Sequence, residues 1–243
     1  DYALKANFES ISCELIISSE IGGSVITPGE GTLDYDCNTE VAIEATEDEH
    51  YSFHKWIGTA VDAGKVEDPD SASTTVLVDA DYTLTAKFTP NQYALTVSST
   101  TGGSVTSPGE DTFIRVYSSV VTLEATADEG FHFVKWTGSA VVGKPIDIYD
   151  PNIVLTVDED CSLKANFALD TYTLTTSSSS GGSVTIPGEE TKECFYGQVI
   201  NLVATPEAGY HFVSWTGPVT DPSSESTTVT ITEDTTVEAV FEA

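Results

Sequence analysis

The sequence states one pattern three times, and the period of that pattern limits what the chain can fold into. Tyr93-Ala-Leu-Thr-Val, Gly102-Gly103-Ser104-Val105, Pro108-Gly109-Glu110, Val121-Thr-Leu-Glu-Ala, Gly130-Phe-His-Phe-Val-Lys-Trp136 and Leu163-Lys-Ala-Asn-Phe167 recur in that order before and after themselves. Paired glycines begin at Gly22, Gly102 and Gly181, and tryptophans stand at Trp56, Trp136 and Trp215. The period of roughly 80 residues is too long for a solenoid repeat and long enough for a self-contained small domain. The expected organisation is the last strand of a preceding repeat at 1–8, then modules at 9–89, 90–168 and 169–243. The opening Asp1-Tyr2-Ala-Leu-Lys-Ala-Asn-Phe8 is placed in a preceding repeat because it matches Asp160-Cys-Ser-Leu-Lys-Ala-Asn-Phe167. The array is thus expected to continue on that side.

Within a module nearly every segment reads as strand. Tyr93, Leu95 and Val97 alternate with small and polar residues, as do Val121, Leu123 and Ala125, the period-two pattern of a half-buried strand. The Gly-Gly pair followed by Ser-Val-Thr predicts a hairpin, and Pro28-Gly29, Pro108-Gly109 and Pro187-Gly188 predict the next turn. An aromatic strand ends at each tryptophan. Two strands close each module, Thr75–Val78 and Tyr82–Phe88 in the first, joined by the acidic turn Asp79-Ala-Asp81. No window of 12 or more residues carries a helical stripe. The predicted fold class is all-β, with three tandem modules of about six antiparallel strands each, arranged as a semi-rigid rod because almost no linker separates Phe88 from Tyr93 or Phe167 from Tyr172.

Charge narrows the function. The chain carries 39 Asp plus Glu against 9 Lys plus Arg. Residues 9–88 hold 17 acids and 3 bases, residues 89–167 hold 10 and 4, and residues 168–243 hold 11 and 1, so no module is basic. Phosphate binding is driven by cationic side chains that displace counterions, which excludes nucleic acid and anionic membrane surfaces as expected partners. No stretch approaches 18 apolar residues, so no membrane insertion is expected of this segment.

Trp56, Trp136 and Trp215 are assigned to the structural core, the alternative being platforms for sugar rings. Phe133 and Trp136 are three apart and would face opposite sides of a regular strand, so only a bulge brings both inside. His132 and His211 share a repeat position occupied by Ser52 in the first module, without a second ligand at metal spacing; with His50 and His54 they read as ordinary strand residues. The acidic turns offer the hard oxygens calcium prefers, and Asp79, Asp81, Asp158 and Asp160 are the calcium candidates; no other cofactor is expected. No catalytic motif is present, so no enzyme is expected.

The cysteines break the repeat. Cys13 stands where the other modules have Tyr93 and Tyr172, and Cys37 where they have Tyr117 and Tyr196. Two tyrosines replaced together by cysteine predict a Cys13–Cys37 disulfide, closing a loop of about 25 residues and adding about 3 kcal/mol. Cys161 and Cys194 lie in different modules, and a bridge between them would staple the two together. Four cysteines allow three pairings. A disulfide places the chain outside the cytosol.

The Gly-[Phe/Tyr]-His-Phe-Val-[Lys/Ser]-Trp segment, the preceding Val-Thr-Leu-Glu-Ala-Thr strand and the closing Ala-Asn-Phe or Ala-Lys-Phe together resemble the divergent internalin B-repeat family of bacterial surface proteins, over essentially the whole chain. The resemblance implies tandem extracellular modules of long surface or secreted proteins, serving as stalks or adhesive segments, and offers no catalytic residues. The better-known B-repeats of that wider group have a β-grasp-like fold with a helix, whereas no helical stripe occurs here. The expected function is a non-enzymatic stalk, spacer or adhesive segment, monomeric within a longer surface or secreted protein. The alternative is a module binding a glycan or host protein through the variable loops 58–73, 138–152 and 217–226, and the third reading is an accessory domain of an enzyme.

Overall fold

The computed structural model describes residues 11–243, so the expected strand at 1–8 lies outside the described residues. Among the described residues strands account for 63% and helix for 3%, which makes the fold all-β. The first repeat holds β1 (Ser12–Ser19), β2 (Gly23–Thr27), β3 (Gly31–Asp36), β4 (Thr39–Glu47), β5 (Tyr51–Ile57), a four-residue helix α1 (Thr59–Asp62), β6 (Ser73–Val78) and β7 (Tyr82–Pro90). The second holds β8 (Gln92–Ser99), β9 (Gly103–Ser107), β10 (Thr112–Val116), β11 (Ser119–Ala127), β12 (Phe131–Thr137), β13 (Asn152–Val157) and β14 (Cys161–Leu169). The third holds β15 (Thr171–Ser178), β16 (Gly182–Ile186), β17 (Thr191–Phe195), β18 (Val199–Pro206), β19 (His211–Thr216), β20 (Ser226–Thr230) and β21 (Thr235–Glu242).

Each repeat has two sheets, a four-stranded one in the order β3-β1-β7-β5 and a three-stranded one in the order β2-β4-β6, with the same orders in the other repeats. Odd and even strands therefore alternate between sheets, and no two consecutive strands of a repeat pair with each other. The predicted hairpins are absent, and the reason lies in the turn residues. A Cβ on Gly22 would sit 2.3 Å from the Tyr51 ring, and one on Gly23 2.3 Å from the Phe88 ring. The glycine pair lets the backbone pass against two aromatic faces as it crosses from one sheet to the other, rather than closing a two-residue hairpin.

Two further corrections concern the strand count and direction. Each repeat has seven strands instead of about six; the additional one, β3 and its equivalents, is an outer strand with few buried side chains and so lacks the apolar alternation that reveals a strand. The strands are not all antiparallel either: β1 runs parallel to β7, with Leu15 opposite Tyr82, and β15 parallel to β21, with Leu174 opposite Thr235. A parallel pairing of first and last strands puts the entry and exit of a repeat at opposite ends. That arrangement suits a chain that must pass on to a next copy, and it needs the long crossover that the intervening strands supply.

By contact density the chain divides into two compact units, one running through Ala94 with residues 114–119 and 156–160, the other comprising 95–113, 120–155 and 161–243. In the first, Leu15, Ile17, Ile43, Trp56, Val76 and Leu84 form the centre of a core drawn from both sheets. In the second, Leu174, Leu202, Trp215, Val229 and Val237 do the same for the third repeat. Inward residues alternate along each strand, as in β4, where Val41, Ile43 and Ala45 are buried and their neighbours exposed.

Cys13 and Cys37 form a disulfide with Cα atoms 5.1 Å apart, joining β1 to the turn after β3. The paired loss of two tyrosines signalled this bridge, and in the third repeat Tyr172 and Tyr196 hold the same positions with ring centroids 6.5 Å apart. Cys161 and Cys194 carry no disulfide. Cys161 opens β14 opposite Leu95, and Cys194 lies in β17 opposite Tyr172, each buried. The staple between modules considered from the sequence is therefore not made. Replacing Cys13 and Cys37 by serine is expected to lower the stability of the first repeat by about 3 kcal/mol and to leave the third unchanged, as read by hydrogen exchange of β4 and β18 amides in urea.

Candidate functional site

The variable loops follow the tryptophan strands, and the tryptophans hold them. In β5 the register with β7 slips between Phe53 and Lys55, so His54 is an extra, outward residue. The same bulge occurs between Phe133 and Lys135 and between Phe212 and Ser214. The bulge returns Phe and Trp to one side, with centroids 5.7, 5.5 and 5.9 Å apart in the three repeats. Trp56 and Trp136 are fully buried and Trp215 is 3% exposed, so none presents a face to a sugar.

A buried indole N–H needs an acceptor. Trp56 Nε1 donates to the Ser71 carbonyl at 3.0 Å, Trp136 Nε1 to Asp150 at 3.0 Å and Trp215 Nε1 to Ser224 at 2.9 Å. The backbone N–H groups of the same residues donate to the carbonyls of Pro69, Ile148 and Pro222. Each loop is thus fixed twice by one residue although the loop sequences differ. An Asx turn shapes the approach: Asp68 accepts from Asp70 N–H, Asp147 from Tyr149 N–H and Asp221 from Ser223 N–H. Hydrogen bonds from the Ser223 hydroxyl and N–H hold the Asp221 carboxyl below the usual carboxylate range.

The calcium candidates have structural partners. Asp81 accepts from Glu14 N–H at 2.8 Å and Asp160 from Ala94 N–H at 2.8 Å, and Asp234 does the same for Thr173. Each fastens the turn before the last strand to the first strand running parallel to it. Asp79 is ion-paired with Lys65 and accepts from the Tyr82 hydroxyl at 2.7 Å. That pair lowers the Asp79 carboxyl and raises the Lys65 ammonium. Asp158 lies in the equivalent turn of the second repeat. Among the described residues, no three His, Cys, Asp or Glu side chains converge in a way that could hold a metal ion.

Beside each loop, against β6, β13 or β20, lies an open cleft. Their volumes are, in that order, about 230, 210 and 240 Å³, below the roughly 300–1,000 Å³ of a small-molecule pocket. Their linings differ: Glu40, Lys65 and Glu67 in the first repeat, Ile146, Asp147 and Asp150 in the second, Asn201, Thr220 and Asp221 in the third. None joins a nucleophile to a base. His132 is engaged with Asp170 at 2.7 Å, and His50 with the Tyr93 hydroxyl at 2.9 Å.

One recurring polar contact was not anticipated. Glu30, Glu110 and Glu189, the residue directly after each Pro-Gly, accept from the N–H of Val25, Val105 and Val184 at 3.0, 2.9 and 3.1 Å. Hydrogen bonds from Ser19, Ser99 and Ser178, and then from those backbone groups, pull all three carboxyls below the usual range. The invariant Pro-Gly-Glu spacing within the chain carried this signal.

The sequence profile of the divergent InlB B-repeat domain matches residues 13–92, 93–171 and 172–243, and the chain belongs to that family of bacterial surface repeats. No curated protein matches the sequence. Among solved structures, the Bacillus anthracis TIE protein aligns with 96% of this chain and 50% of its own at 10% identity and a TM-score of 0.46. The chain spans about half the length of that structure. An I-band fragment of titin aligns over 94% of this chain and 95% of its own at 6% identity and a TM-score of 0.15. Family membership rests on the sequence match.

Trp136→Phe keeps a ring in the core and removes the indole donor, and is expected to cost about 2–3 kcal/mol with faster exchange and proteolysis confined to the loop 138–152. The lowered glutamates fix the sign of an acid effect. Their ionised form is favoured in the folded state, so their contribution is complete above the unfolded value of 4.5 and is lost as pH falls through the depressed folded values. Being solvent-exposed, each contributes modestly. Glu110→Gln is expected to lower the melting temperature at pH 7 and to flatten its fall below pH 4.5.

Proposed function

We propose that this chain is a non-enzymatic spacer or stalk segment of a prokaryotic cell-surface or secreted protein, monomeric within a longer chain and exported from the cytosol. The observation that carries the reading is where the recurring polar groups go. The tryptophan N–H groups, the Asx-turn aspartates, the aspartates before the last strand and the Pro-Gly-Glu carboxylates all bond within their own repeat. The cleft linings, where a ligand would be read, change from copy to copy.

Three further features support it. Single residues, Asn91 and Asp170, separate the last strand of one repeat from the first of the next. The Cys13–Cys37 bridge suits an oxidising compartment. The net charge of −30 opposes self-association of a displayed array. Among the described residues no helix is long and apolar enough to cross a membrane.

One observation favours the second reading, a glycan- or host-protein-binding module. The second repeat alone exposes Val142, Tyr149 and Val154 around its variable loop, at 75%, 67% and 58%. Two measurements separate the readings. Protease treatment of intact producing cells is expected to remove the repeat epitope, and its full protection with recovery from the cytosol would contradict surface display. The immobilised chain is expected to show no saturable binding to extracellular glycans or matrix proteins, and a saturable ligand lost on Tyr149→Ser would replace the spacer with the binding module.

A further inference from the structure

The ends of the repeats carry chemistry that the spacer reading leaves unused. Between the first and second repeats, His50 holds a left-handed conformation, φ 70°, just before β5. Its ring stacks on Tyr117 with centroids 4.3 Å apart and an 18° interplanar angle, and meets Tyr93 edge-on. Tyr51 meets the same Tyr117 ring edge-on at 5.8 Å. The linker is fixed from both sides: Asn91 N–H donates to the His50 carbonyl, Tyr117 N–H donates to the Asn91 carbonyl, and the Ser52 hydroxyl bonds to the Asn91 side chain at 2.7 Å.

The second junction uses the same positions with different side chains. Gly130, φ 78°, replaces His50, and the Tyr196 ring lies so close that a Cβ there would be 2.0 Å from it. Asp170 N–H donates to the Gly130 carbonyl and Tyr196 N–H to the Asp170 carbonyl. His132, at the place of Ser52, bonds to Asp170, and the Tyr196 hydroxyl donates to Glu129 at 2.7 Å. The common device is an entry tyrosine lying on a left-handed exit residue, with the linker residue bonded by the second residue of the exit strand.

The third repeat presents the same exit groups. Gly209 has φ 90°, a Cβ on it would meet nothing within 4 Å, Tyr210 is 40% exposed, and His211 stands at the place of Ser52 and His132. We propose that this exit face, Gly209 to His211, is a docking socket for the entry turn of a further repeat of the same family, one carrying tyrosine at the place of Tyr117 and Tyr196 and Asn or Asp at the place of Asn91 and Asp170. A second copy of this chain does not qualify, because its first repeat has Cys37 at the tyrosine position, held in the bridge to Cys13. The proposal concerns how repeats join and stands apart from where the protein is displayed.

The test lengthens the full chain at Ala243 by a second copy of residues 170–243, which continues Phe241-Glu-Ala in the register of Phe167-Ala-Leu-Asp170. The appended linker aspartate N–H is expected to exchange at least tenfold more slowly than in unstructured peptide. That protection is expected to vanish with Gly209→Val or with serine in place of the appended equivalent of Tyr196, and to survive phenylalanine there. Because a valine at φ 90° is strained in any case, Gly209→Val is also made in the original chain, where a smaller fall in melting temperature is expected. An appended linker amide that exchanges freely, protection that survives both substitutions, equal falls in the two chains, or head-to-tail association of the original chain in sedimentation would each overturn the proposal.

Discussion

An indole in the core of a domain this small must place its N–H on an acceptor, and in each repeat that acceptor is a carbonyl of the variable loop. The tryptophan therefore links the part of the repeat that recurs in all three copies, a packed core, to the loop that differs between them. The bulge in the tryptophan strand turns Phe and Trp inward together, and the backbone N–H of the same tryptophan fixes the loop a second time. Main-chain carbonyls are available from any sequence. This is why loops as unlike as Gly58–Ser73 and Gly217–Ser226 can be held by one residue.

The alternation of strands between sheets follows from the same compactness. With each connection crossing from one sheet to the other, no strand pairs with its neighbour in sequence, and the first and last run side by side in parallel. Entry and exit then lie at opposite ends of the repeat. At the junctions, the linker residue is hydrogen-bonded from both sides and a tyrosine ring lies on the left-handed residue before the exit strand.

Much of this was legible in the sequence, and the misses have physical causes. Period-two alternation exposed the buried strands, but β3 and its equivalents lie at a sheet edge, where polar side chains are tolerated and the pattern fades. Gly22-Gly23 reads as a hairpin because a turn selects glycine for positive φ, which Gly22 has at 108°; the Tyr51 and Phe88 rings select glycine as well, without any pairing of the flanking strands. An acidic turn reads the same in sequence whether its carboxylates accept backbone N–H groups or ligate calcium, and the hydrogen bonds to Asp68 and Asp81 show the first of these uses. Cys13 and Cys37 were legible for the opposite reason: a broken repeat isolates two positions at once, and the copies that keep tyrosine show that those positions touch. Cys161 and Cys194 break the pattern at unrelated places, so the bridge considered between them had no paired substitution behind it, and it is not made.

The account stands on the tryptophan as the common anchor of three different loops. Its most direct test is the exchange rate of the three indole N–H protons in the full chain, followed by NMR under native conditions with increasing urea. All three are expected to exchange only with the global unfolding of their own repeat, at a protection equal to that of the neighbouring core amides. An indole proton exchanging at loop rates in any copy would contradict it, since that loop would then be held by something other than its tryptophan.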